Sequence, residues 1–301
     1  MDRFRAFYYR NIKTLFLSRP FFTETSSSPF FILSAGRSGS TLLRKHLLKN
    51  TFVNIPPESG DLLPKLIKFY LRYNDKSWEY IVRNCVAIYH EEASVFLYWN
   101  ARIEEDAIAR IISLPVKEQS LNGIVNFLFT HYAQLHGFSF EKWGDKTPFL
   151  TQRLPWLTLL FPSSKFIFLI RDGRAVVNSL LKMNKEYTLE TACYRWLRSI
   201  DAIKKHAQKI SADQFIYVRY EDLVTHPEKE LDKIYRFLHL SRRSNPLLEV
   251  FLGDDVLPYH NNIKLDISQA SLKKWETELT KEEIDQITQL MNKELTILGY
   301  L

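Results

Sequence analysis

Only two cysteines, Cys85 and Cys193, occur in 301 residues. A disulfide-stapled scaffold is excluded; one bridge is conceivable, and a pair of reduced core thiols is the expectation. No run reaches the roughly 18 apolar residues that a membrane helix needs. The N-terminal stretch MDRFRAFYYRNIKTLFLSRPFF has only LFL as an apolar core among Arg, Lys and aromatics, so it fails as a signal peptide. Internal repeats and low-complexity tracts are missing as well. So is a metal motif: His131 and His136 do not form HExxH and read as ordinary helix residues. A reducing cytoplasm is the expected compartment.

What remains is an ordinary globular composition, 46% hydrophobic and 25% charged. A formal charge of +7 favours anionic ligands without choosing among them. Basic pairs such as Lys204-Lys205, Arg242-Arg243 and Lys273-Lys274 are scattered, as solvated faces are. No nucleic-acid partner is expected. Residues 1–29 read as an N-terminal extension ending in the linker Ser26-Ser27-Ser28-Pro29. That extension either lies on the domain or touches a membrane surface as an amphipathic helix. Residues 30–301 read as one domain.

Within it, FFILS (30–34) is a continuous apolar run suited to a buried parallel strand. TLLRKHLLKN follows with helical spacing, and FVNI (52–55) is a short strand candidate. From Asp61 to His136 the pattern is mostly helical, broken at Leu114-Pro115 and rich in aromatics. Lys165 to Ile170 is the clearest strand; QFIYVRYEDL gives another, with helices after both. Strands alternating with helices predict an α/β fold. It is a P-loop-like parallel sheet flanked by helices on both faces, with a largely helical insertion. Ligands bind such sheets at the carboxyl ends of the strands.

AGRSGST (35–41) stands at one such end. Gly36 and Gly39 remove Cβ atoms that would hold a phosphate away, Ser38, Ser40 and Thr41 supply small side chains and hydroxyls, and the helix start offers N–H groups. The Walker lysine is absent, because Ser40 follows Gly39. A magnesium-dependent kinase reading thereby loses its key cation. Arg37 supplies a permanent charge with a planar donor fork for phosphate or sulfate oxygens. LIRDGRAVVNSLL places Arg171 at a second strand end and Ser179 eight residues on, spaced to clamp a second phosphate. Asp172 is placed to cap that helix.

With these two sites the sequence resembles the sulfotransferases that use 3′-phosphoadenylyl sulfate. It is similar in particular to tyrosylprotein sulfotransferases and their bacterial relatives. The resemblance also covers GDKTPF (144–149), LFPSSKFIFLIRDGRAVVNSL, VRYEDLVTHPEKEL and KKWETEL…LGY. It implies a metal-independent O-sulfotransferase with 3′-phosphoadenylyl sulfate as co-substrate. The acceptor would be a hydroxyl of a glycan, lipid, small metabolite or peptide tyrosine. Gly36 to Thr41 would hold the 5′-phosphosulfate, and Arg171 with Ser179 the 3′-phosphate. Glu58 matches the subgroup's catalytic glutamate; a helix cap near Gly60 is the alternative. Lys146 matches a lysine that contacts the transferring group, or is a turn lysine. His46 is the rival base, Tyr220 is a nucleotide contact or a core tyrosine, and Lys264 is a C-terminal cofactor lysine. The family's further basic residue after the serine is displaced here, since Met183 occupies that place between Lys182 and Lys185.

Overall fold

A computed structural model describes residues 17–24, 28–137, 139–243 and 271–301. Its centre is a five-stranded sheet of β1 (Phe30–Leu33), β2 (Val53–Asn54), β3 (Lys142–Asp145), β4 (Lys165–Ile170) and β5 (Phe215–Arg219), in the order β2-β3-β1-β4-β5. Every neighbouring pair is parallel. The central strand is therefore β1, and Arg171 follows the strand beside it.

Both faces of this sheet are covered, as parallel sheets require. Alternation along the strands then assigns each side chain to a core. Phe31, Leu33, Phe166 and Phe168 face the helical insertion. Phe30, Ile32, Ile167 and Leu169 face the opposite layer with Leu43 and Leu47 of α1 (Ser40–Asn50).

The insertion comprises α2 (Leu62–Tyr73), α3 (Trp78–Glu91), α4 (Ala93–Tyr98), α5 (Glu105–Ile112) and α6 (Leu121–Leu135). The break expected at Pro115 is a 3-10 turn at Val116–Glu118. Part of the N-terminal extension lies on this insertion: Phe21 is buried, and Tyr70 Oη donates to the Pro20 carbonyl at 2.9 Å.

After the insertion come α7 (Leu154–Leu160), α8 (Gly173–Met183), α9 (Leu189–Ala207), α10 (Tyr220–Thr225), α11 (Pro227–Leu238), α12 (Lys274–Glu278) and α13 (Lys281–Ile297). Helices α8, α9 and α13 share a third core around Val176, Trp196 and Met291. Both cysteines are buried and unpaired, and burial pushes the Cys193 thiol up to about 12. Among the described residues no helix is long and apolar enough to cross a membrane.

Strand β3 is the element that sequence reading misses, because Lys-Trp-Gly-Asp has no apolar run. Its context makes it a strand. Trp143 buries its ring and donates through Nε1 to Asn126 Oδ1 at 2.8 Å. Gly144 leaves room for Phe30, whose ring would lie 2.6 Å from any added Cβ.

Candidate active site

A parallel sheet brings all five carboxyl ends to one edge, and each strand there delivers one polar side chain. Arg37 follows β1, Glu58 follows β2, Lys146 follows β3, Arg171 follows β4 and Tyr220 follows β5. The sequence names all five; the sheet order makes them neighbours.

The loop after β1 is tightly turned and leads directly into a helix. Arg37 has φ 70° and Gly39 has φ 90°, so the backbone turns through left-handed conformations twice. A Cβ on Gly39 would lie 2.3 Å from the Tyr220 ring. Gly39 is also the N-cap of α1, so the N-cap has no side chain to bond the helix start, and the first turn carries no acidic residue. A helix start of this kind can offer its first N–H groups to an anion. Ser38 turns inward, donating from Oγ to the Ala35 carbonyl at 2.6 Å, so its hydroxyl serves the loop. Ser40 is buried at the helix start and Thr41 is half-buried. Gly36 lies against the Arg195 guanidinium, with Nη2 3.5 Å from where a Cβ would stand.

The two predicted anion sites touch. Arg37 Nε donates to Ser179 Oγ at 3.0 Å, and Arg171 Nη1 donates to the Arg37 carbonyl at 3.0 Å. Arg171 Nη2 reaches the Ser271 carbonyl at 3.0 Å, while its guanidinium stacks 4.2 Å from the Tyr220 ring centroid. Tyr220 Oη and Ser271 Oγ are 2.7 Å apart. The Arg171 Nε–H is buried and finds no partner among the described residues. An unsatisfied guanidinium N–H beside hydroxyl groups fits a phosphate oxygen. Tyr220 is mostly buried, as a core tyrosine would be, and its hydroxyl and ring reach Ser271 and Arg171. Ser271 was not anticipated, and nothing in its local sequence singles it out. Lys264 lies outside the described residues.

Behind Arg171, the other motifs of the resemblance clasp one another. Asp172 accepts from Arg174 N at 2.9 Å, as the predicted cap of α8, and pairs with the Arg174 guanidinium at 2.7 Å. Glu221 accepts the Asp172 N–H at 3.0 Å and the Tyr300 hydroxyl at 2.9 Å. Arg174 stacks over Trp275 at 4.2 Å and donates to the Tyr300 carbonyl at 2.9 Å. Lys182 is occupied by Glu278 at 2.7 Å.

At the other end of the loop, Lys146 Nζ donates to Thr41 Oγ1 at 3.1 Å and to Glu58 Oε1 at 3.0 Å. The lysine side chain is 0% exposed and the glutamate 40%, so a buried cation presents a solvent-reachable carboxylate at the loop. Glu58 is not a helix cap: α2 begins at Leu62 with Asp61 at its N-cap, and the hydrogen bond of Glu58 goes to Lys146. His46 is half-buried on α1. At 3.6 residues per turn it points roughly 140° away from Thr41 around that helix. Among the described residues no three His, Cys, Asp or Glu side chains gather to hold a metal ion.

A model of the sulfotransferase family matches residues 29–244. Protein-tyrosine sulfotransferase A of Caenorhabditis elegans is 24% identical over 262 residues, 85% of this chain and 59% of its own length. Protein-tyrosine sulfotransferase 2 of Gallus gallus is 30% identical over 140 residues, 44% of this chain and 37% of its own. The chain therefore spans well under two thirds of these relatives. Among solved structures, the sulfotransferase domain of the Synechococcus PCC 7002 olefin synthase superposes with a TM-score of 0.59 at 24% identity, covering 91% of this chain and 98% of that one. The sulfotransferase domain from the curacin biosynthetic pathway gives 0.55 at 21%, covering 89% and 99%. Both share the fold.

Proposed function

The chain belongs to the sulfotransferase family, and from that premise we propose that it moves a sulfuryl group from 3′-phosphoadenylyl sulfate to a hydroxyl of an acceptor. The bond between sulfur and the donor's 5′-phosphate oxygen breaks while sulfur bonds to the acceptor oxygen. The acceptor proton passes to Glu58, and adenosine 3′,5′-bisphosphate leaves. Arg37 and Lys146 stabilise charge on the sulfuryl group and the leaving oxygen. The loop from Gly36 to Thr41 holds the 5′ end, and Arg171, Ser179 and Tyr220 hold the 3′ end.

The observation that carries this reading is the chain Thr41–Lys146–Glu58. It holds a carboxylate one lysine away from the loop at Gly36 to Thr41, which supports Glu58 as the base for the acceptor. By analogy with phosphoryl transfer, a loose transition state leaves little covalent work to the protein and makes alignment the main task.

The relatives' names make a peptide tyrosine the first acceptor to try. Glycan, lipid and small-metabolite hydroxyls belong to the same proposal, since the aromatic-rich insertion suits any of them. Donor carrying labelled sulfate, incubated with a panel of these acceptors, should label at least one without magnesium. Magnesium-dependent ATP turnover with no transfer of label would refute the proposal.

A further inference from the structure

The segment that bears Glu58 is tied down at every second residue. Arg44 Nε, deep in α1, donates to the Ile55 carbonyl at 2.8 Å. Trp99 Nε1, from the insertion, donates to the Pro57 carbonyl at 2.9 Å. Ser59 is the third anchor and the most heavily bonded. Its N–H donates to Thr147 Oγ1 at 2.8 Å, and its hydroxyl donates to Asp145 Oδ2 at 2.5 Å, with Thr147 Oγ1 3.1 Å away. Asp145 Oδ1 in turn accepts the Thr147 N–H at 2.8 Å.

This places two short stretches side by side, Glu58-Ser59 and Asp145-Lys146-Thr147. One pair, Glu58 with Lys146, faces the anion loop. The remaining three residues form an inner knot in which Ser59, Asp145 and Thr147 are all buried. Asp145 has no ion pair among the described residues, so hydrogen bonds alone match its carboxylate. A charge in that position is costly for mere packing. Burial pushes its pKa up, against the donors that pull it down. The 2.5 Å bond from Ser59 is in the range of a charge-assisted contact.

We propose that Ser59, Asp145 and Thr147 are positioning residues that fix the Glu58 carboxylate against Lys146 and the anion loop. The inference rests on the reading of Glu58 as the base. None of the three touches the reacting groups in this account; each acts through the backbone on either side of Glu58 and Lys146. A misplacement of about 1 Å costs on the order of 10²-fold in rate, so loosening the knot should lower turnover while leaving the donor site unaltered.

Thr147→Val keeps the shape and removes the oxygen; Thr147→Ser keeps the oxygen and removes the methyl. Ser59→Ala removes the hydroxyl. Turnover, the donor dissociation constant and Tm are measured for each, alone and combined with Glu58→Gln. Thr147→Val and Ser59→Ala should lower kcat about 10- to 100-fold with donor affinity within about 2-fold. Thr147→Ser should retain most of the rate. In the Glu58→Gln background, Ser59→Ala should add nothing, because the group it positions is gone. A parental kcat in both Thr147→Val and Ser59→Ala overturns the proposal, as does a full additional loss in the Glu58→Gln background. If Glu58→Gln itself keeps the parental rate, the reading of the base fails, and this inference fails with it. An impaired Glu58→Gln beside unimpaired Ser59→Ala and Thr147→Val defeats the positioning role alone.

Discussion

Arg37 donates through Nε to Ser179 Oγ at 3.0 Å, joining a residue assigned to the 5′ end of the donor with one assigned to its 3′ end. Arg171 reinforces the seam by holding the Arg37 carbonyl. The two proposed anion sites are therefore joined by direct contacts, and changes on one side are expected to reach the other.

Adenosine 3′,5′-bisphosphate should raise Tm without magnesium, because it binds the folded chain preferentially. AMP, which lacks the 3′-phosphate, should do much less. Ser179→Ala should narrow the gap between the two ligands. Equal stabilisation by both in the parent chain would remove Arg171 and Ser179 from the site.

Arg171→Ala should do more than weaken donor binding. Its guanidinium also holds the Arg37 and Ser271 carbonyls and covers Tyr220. Donor affinity and kcat should fall together, whereas Arg37→Ala at saturating donor should act mainly on kcat. Steady-state kinetics with donor binding measured on the same preparations separates them. An unchanged kcat in Arg37→Ala would remove its role at the breaking bond.

Gly39→Ala tests the loop itself. The new methyl meets the Tyr220 ring at 2.3 Å, and φ 90° is unfavourable for any residue with a Cβ. The loop must shift, with strain of about 1–3 kcal/mol. Calorimetry should show adenosine 3′,5′-bisphosphate binding reduced at least about tenfold and a lower Tm. Parental binding would show that the loop does not cradle the phosphate.

Much of the candidate site is legible in the sequence. Gly36 to Thr41, Arg171 and Ser179 stand in motifs whose chemistry is local, since a strand end, a glycine turn and a helix start occur within a dozen residues. The resemblance singles out Glu58 and Lys146, but their mutual contact is not readable in the sequence, because it depends on β2 and β3 being neighbours. Strand β3 itself was hidden by its polarity. Arg44, a fully buried arginine, looks like any helix-surface arginine in sequence; its bond to the Ile55 carbonyl belongs to the fold. Ser271 is brought to Arg171 by a return of the chain that no local pattern encodes. The knot at Ser59 has no sequence signal for the same reason: three ordinary polar residues matter only once they are buried together.

Asp145 yields a prediction about pH. Burial raises its folded pKa above the ordinary value of 3.8. The native chain then holds this proton more tightly than the unfolded chain, so stability falls as pH rises through the window between the two values. Below the ordinary value both states are protonated and the effect vanishes. Asp145→Asn removes the titration, so its Tm relative to the parent should improve with rising pH. Thermal melts from about pH 4.5 to 8 check the sign. A difference that is flat or declines with pH would contradict a raised carboxyl at this position.

The most direct measurement is the sulfuryl-transfer rate of Glu58→Gln at saturating donor. Glutamine keeps the size and a hydrogen-bonding head while removing the proton acceptor. An aliphatic alcohol acceptor gives the sharpest test, because a phenol is more acidic and depends less on a base. With Glu58 as the base, turnover should fall on the order of 10²–10⁴-fold, with adenosine 3′,5′-bisphosphate binding and Tm close to the parent. Turnover within a few-fold of the parent, in protein that binds the nucleotide normally, would contradict it and turn attention to His46.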